Sequence, residues 1–177
     1  VDHVTRKVYA TLNYLKHRKN ILSTSTRKLL ITVTINPIIE YCSLVLIDSS
    51  KRIDYKLQRL SNNTIRFIYN LRLDEHITPY RQSLNWLTIK AKRRYYLACF
   101  LYKLLKTGEP KYLRDLFVEE PPDIRRSERI AAKYSNTFKI PNFNSIVYEH
   151  SFVVSAIRLW RELPVEIINS LSLDTFK

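Results

Sequence analysis

Glycine occurs once in the 177 residues, at Gly108, against an average usage of about 7%. Phosphate-cradling loops of the P-loop or dinucleotide type need several glycines at fixed spacing, so the nucleotide-binding superfolds are excluded, as is a G-x-S-x-G nucleophile elbow. Methionine is missing and the first residue is Val1, so the numbering is expected to describe a piece of a longer reading frame. Two cysteines, Cys42 and Cys99, stand far apart in apolar surroundings and in no pattern of zinc spacing. Both are expected to be small, buried and reduced. No basic, apolar, small-residue succession marks a signal peptide, which points to a reducing interior.

Convergent acids are lacking too. A two-metal polymerase or nuclease site needs two or three carboxylates within a few ångströms, whereas Asp48, Asp54, Asp74, Asp115, Asp123 and Asp174 are scattered and mostly start or flank helices. His3, His17, His76 and His150 are isolated. Asp74-Glu75-His76 is the one dense acid/His cluster, and it reads as a helix-start cap and loop contact rather than a metal or acid–base site. Asn62-Asn63-Thr64 matches the glycosylation pattern but falls inside a periodic helix in a chain without a signal, and is discounted.

What is present is positive charge and apolar periodicity. Apolar residues make up 45% of the chain, enough for a core, and 30 Lys and Arg against 16 Asp and Glu give a formal +14. Residues 1–117 hold 22 basic and 8 acidic side chains and residues 118–177 hold 8 of each, so the whole excess lies in the first two thirds. A field confined to one segment is the footprint of a nucleic-acid partner, against the blander reading of a solvated basic face.

Val4, Val8, Leu12 and Leu15 place a helix over Asp2 to Lys19, ending in the basic cluster Lys16-His17-Arg18-Lys19, part of which complements the helix dipole. Thr24 to Thr26 offer a cap for a second helix, and the weakly charged stretch 29–47, with Asn36-Pro37 and Glu40, reads as a kinked helix buried in the core rather than a membrane span. Ile53, Leu57, Leu60, Thr64, Phe67 and Leu71 define a third, capped by Ser49 or Ser50. Arg52, Lys56, Arg59, Asn63 and Arg66 repeat that spacing one residue earlier, a basic ridge about 100° round from the apolar one. A short helix starts at Thr78-Pro79, and a longer one runs from its cap Thr88 to Lys106, stopped by Gly108. The longer helix opens with Lys90, Lys92 and Arg94, while Arg93 sits on its apolar face, where it should be paired or snorkelling. From 118 to 150 periodicity vanishes around Pro121-Pro122 and Arg125-Arg126, with one small hairpin expected between 138–140 and 146–148. Ser151 caps a last firm helix ending at Pro164, and Ser172-Leu173-Asp174 starts another.

The expectation is a mainly α fold, a single helical domain of five to seven helices with an irregular, partly extended segment before a C-terminal helix. Its parts are a basic helical body at 1–117, a linker-like segment at 118–150 and a truncated helical segment at 151–177. The core should include Leu57, Leu60, Phe67, Trp86, Leu97, Phe100, Leu104 and Trp160.

Five sequence words, in order, resemble the C-terminal region of jockey-like non-LTR retrotransposon reverse transcriptases. They are Pro37-Ile38-Ile39-Glu40-Tyr41-Cys42-Ser43; Leu57-Gln58-Arg59-Leu60 with Ile65-Arg66-Phe67-Ile68; Asp74-Glu75-His76-Ile77; Leu84-Asn85-Trp86-Leu87-Thr88-Ile89 with Arg93-Arg94; and Ser151-Phe152 through Leu159-Trp160 and Leu163-Pro164 to Phe176-Lys177. The resemblance implies a thumb and helical extension that follows the fingers-palm core of an RNA-directed DNA polymerase. The family's Phe/Tyr-x-Asp-Asp turn and the zinc knuckle of some relatives find no match here. The chain would therefore be non-catalytic, without a cofactor of its own, magnesium belonging to the missing palm. Its implied partners are RNA, the backbone of an RNA/DNA duplex and the upstream polymerase core, with no membrane and no small-molecule ligand, in an intracellular setting, cytoplasmic and nuclear. The residues expected to meet phosphate are Arg52, Lys56, Arg59, Arg66, Lys90, Lys92 and Arg94, without base readout. The rival from another class is a non-enzymatic helical protein-interaction module, a retrotransposon remnant without nucleic-acid binding. A membrane-associated basic helical protein, resting on 29–47, ranks last.

Overall fold

The computed structural model describes residues 1–120 and 138–177. Pro121-Pro122 and Arg125-Arg126 lie outside them. The fold is mainly helical: among the described residues there is no strand, only an isolated antiparallel bridge between Glu119 and Phe138. Helices there outnumber the five to seven expected, because single turns at chain reversals form helices too short for apolar periodicity to reveal. The chain divides into two compact units, Val1–Lys92 and Arg93–Lys177.

In the first unit α1 is Asp2–Lys16, α2 Thr24–Leu30, α3 Asn36–Glu40, α4 Lys51–Tyr69 and α5 Thr78–Ser83, and α6, Ile89–Thr107, begins there. Ser23, not Thr24 to Thr26, caps α2: its hydroxyl accepts from the Thr26 amide at 3.1 Å. Between α2 and α3 the helix widens into a π-helical stretch over Ile31–Ile35. Pro37 follows at once; its ring would oppose the Val33 carbonyl in a regular helix, and the wider turn makes room. The expectation of a kinked helix buried in the core holds for one face only. Only Ile31, Ile35 and Ile39, spaced by four, are buried, while Leu29 and Val33 on the other flank are exposed. Cys42, expected buried, is exposed, with φ 50° where the chain leaves α3; Cys99 is half-buried, and both thiols are free.

The core of this unit joins Val8, Leu12 and Leu15 of α1, the three isoleucines, and Leu57, Leu60, Ile65, Phe67 and Ile68 of α4. Each such side chain contributes about 1.5–3 kcal/mol when fully buried. Trp86, expected in the core, packs against it half-buried. Asn70 ends α4 in the left-handed conformation, φ 57°, and the Leu71 amide closes back on the Arg66 carbonyl at 3.0 Å. At α6 the Ala91 amide donates to the Thr88 hydroxyl at 3.2 Å, the expected cap, and the Ile89 amide to Gln58 Oε1 at 2.9 Å.

The second unit holds the rest of α6, then α7, Lys111–Arg114; α8, Ile146–Glu149; α9, Phe152–Glu162; α10, Val165–Ile168; and α11, Leu173–Phe176. Gly108 stops α6 with φ 70°, its amide on the Leu104 carbonyl at 2.9 Å. The expected hairpin is corrected as well: 146–149 is helical, started by Ser145, and Phe138 pairs instead with Glu119. Leu97, Leu101, Leu104, Val154, Ile157 and Trp160 are buried, and aromatic contacts join Phe117 to Phe138 at 5.8 Å and Tyr102 to Phe176 at 4.4 Å. Phe100 is only half-buried, its ring 5.9 Å from Phe152.

Candidate nucleic-acid interface

The α4 ridge exists as the spacing predicts, but α1 lies along part of it. Lys56 binds the Asp2 carboxylate, and the Asn63 amide donates to the Tyr9 hydroxyl at 3.1 Å. Both contacts join residues 54 apart, so the two helices run side by side in the same direction. Asp2 and Tyr9 share one face of α1, two turns apart, and that polar face escaped a reading built on apolar stripes. The Lys56 ammonium, chiefly through its hydrogen bond, holds the Asp2 carboxyl below the usual carboxylate range.

Arg66 turns toward the loop that follows α4. Its Nε donates to the Arg72 carbonyl at 3.3 Å and its Nη2 to that of Leu73 at 3.1 Å. Lys92 binds Glu40 and stands 5.7 Å from the centre of the Trp86 ring. In the second unit Arg94 binds Glu162. The remaining three expected residues, Arg52, Arg59 and Lys90, are exposed and make no ion pair or side-chain hydrogen bond among the described residues. The structure thus separates the seven into an open set and an internally engaged set. Sequence spacing cannot make that distinction for Lys56, Lys92 and Arg94, whose partners are 54, 52 and 68 residues away.

Arg93 is 3% exposed, as its place on the apolar face of α6 requires. The Asp74-Glu75-His76 cluster is a loop contact: Glu75 accepts from the Arg72 amide at 2.7 Å and from the Tyr80 hydroxyl at 3.2 Å. Burial first, then that carboxylate, raises the Tyr80 phenol above its ordinary value. Among the described residues no three His, Cys, Asp or Glu side chains gather to hold a metal ion, and no helix is long and apolar enough to cross a membrane. Comparison with protein-family models, curated proteins and solved structures finds no match.

Proposed function

We propose that this chain acts as the thumb and helical extension of a jockey-like non-LTR retrotransposon reverse transcriptase, holding the backbone of template RNA and primer DNA during reverse transcription. In this reading nucleotidyl transfer and its magnesium belong to the upstream palm, and the chain supplies grip without a catalytic residue. The observation that carries it is the open set Arg52, Arg59 and Lys90, on a unit that holds 16 basic side chains against 6 acidic ones. An exposed cation without an internal carboxylate keeps its full field for phosphate, whereas Lys56, Lys92 and Arg94 must first leave an acid.

The test is titration of a labelled RNA/DNA hybrid at several salt concentrations. Affinity falls with a slope of log K on log[salt] of about −0.9 for each phosphate neutralised, by analogy with B-DNA. The R52A/R59A/K90A variant flattens the slope by about three, and K56A/K92A/R94A flattens it less. Equal slopes for wild type and both variants would reject the interface.

A protein-interaction module without nucleic-acid binding is the second reading. It is favoured by the exposed Leu29, Val33, Tyr41 and Val45 around the π-helical stretch. Under it the hybrid fails to bind at any salt concentration.

A further inference from the structure

A cleft of about 410 Å³ opens where α1 and α4 end together, lined by Lys16, Lys19, Asn20, Asn63, Arg66, Phe67, Asn70, Leu71 and Leu73. Its size lies within the range of small-ligand sites, about 300–1,000 Å³. No carboxylate lines it, and three cations do. Basic residues at helix C-termini ordinarily answer the dipole, and orphan carbonyls there repel anions. Here two arginines engage carbonyls around the cleft, among them that of Ile68 in the last turn of α4. Arg27 donates to the carbonyls of Leu22 at 3.1 Å, Ile68 at 3.2 Å and Lys19 at 3.0 Å. Arg66 does the same for Arg72 and Leu73. Neither Lys16 nor Lys19 makes an ion pair among the described residues. The same bonds pin both loops that wall the cleft, so little ordering is left for a ligand to impose.

The rest of the lining is chemically specific. Asn20, Asn63 and Asn70 are three carboxamides, each with a donor and an acceptor side, as the edge of a nucleobase requires. Asn63 commits only its amide nitrogen, to Tyr9, which leaves its carbonyl oxygen open. Phe67, Leu71 and Leu73 give a planar ring an apolar wall. We infer that this cleft binds one unpaired nucleotide, its phosphate against Lys16, Lys19 and Arg66 and its base edge against the three carboxamides. The ligand chemistry is that of a free mononucleotide or of one nucleotide in a single strand. The site is separate from the open set Arg52, Arg59 and Lys90 and does not rest on the duplex reading.

Titrating the ¹⁵N-labelled chain with adenosine 5′-monophosphate, adenosine, inorganic phosphate and single-stranded pentaadenylate tests it through the side-chain amide signals of Asn20, Asn63 and Asn70. The monophosphate shifts all three, and adenosine binds about tenfold more weakly, for loss of the charged contacts. K16A/K19A, two surface changes that leave the remaining spectrum in place, weakens the monophosphate by about tenfold or more. Competition by pentaadenylate assigns the site to a strand, and failure to compete assigns it to a free nucleotide. R52A/R59A/K90A leaves the monophosphate response unchanged, so loss of the duplex interface and loss of this site are read separately. Absence of any shift at millimolar monophosphate overturns the inference, as do identical shifts with inorganic phosphate alone.

Discussion

In the unit Arg93–Lys177, Arg94, Arg114, Arg158 and Arg161 each donate to a glutamate: Glu162, Glu119, Glu149 and Glu120. In the unit Val1–Lys92 the arginines are held differently. Arg27 and Arg66 bind backbone carbonyls, Arg81 the Asn62 side chain, and Arg18 lies 4.3 Å over the centre of the Tyr14 ring. Among the described residues, Arg72 alone of these arginines meets an acid, Asp74 at 3.5 Å. A carbonyl or a ring fixes a guanidinium without cancelling its charge, whereas a glutamate does both. The sequence holds 14 basic against 10 acidic residues in the second unit and 16 against 6 in the first. Arginines therefore lock chain segments in both units, but in the first they do so mostly without an acid, and the net positive charge there is larger.

The difference breaks most visibly in stability. Leu60→Ala in the first unit and Leu101→Ala in the second each remove a fully buried leucine and cost about 2–5 kcal/mol, read by urea unfolding. Trp86 and Trp160 report the two units separately by fluorescence. Added salt, which screens self-repulsion, should recover more stability for L60A than for L101A. Equal recovery would mean that the two units carry equivalent fields.

A smaller effect sharpens the way arginine is used. Arg27→Ala loses three carbonyl contacts and should lower stability by about 2 kcal/mol in the same unfolding measurement, and Arg27→Lys should not restore it, since one ammonium cannot reach three carbonyls in a fork. Recovery by lysine would show that charge alone matters there.

The smallest effects are pH-dependent and opposite in the two units. Lys56 lowers the folded pKa of Asp2, so that pair stabilises the first unit above the ordinary carboxylate value and loses its effect as pH falls through the lowered one. In the second unit Asp174, chiefly through its hydrogen bond, raises the folded pKa of Lys177. That contribution is present below the ordinary lysine value and is lost as pH climbs through the raised one. Both pairs are solvent-exposed, so D2N and D174N should each shift the unfolding midpoint slightly, at opposite ends of the pH range.

Helices with long apolar stripes were legible in the sequence: α1, α4 and α6, with Gly108 and Thr88 at their proper ends, follow from spacing and cap chemistry alone. Short helices were legible only where cap chemistry marks them, at Thr78-Pro79 and Ser172; a single turn such as Ile146–Glu149 has no period, and its β-branched residues suggest a strand. Cys42 was misplaced because burial was inferred from apolar neighbours, while the turn after α3 puts it outside. For the candidate interface, the sequence placed the cations on their helix faces. It did not show which were engaged, because Asp2, Glu40 and Glu162 approach only through the fold. The cleft at Lys16 and Lys19 was visible only as a charge run that a helix dipole also explains.

The most direct test of the central claim compares R52A/R59A/K90A with K56A/K92A/R94A in binding to an RNA/DNA hybrid, at matched salt concentrations. Three positive charges are removed in each. The account predicts that the first variant loses more affinity and flattens the salt slope by about three, while the second flattens it less. Indistinguishable slopes for the two variants would contradict it, since open and internally paired cations would then be equivalent toward phosphate.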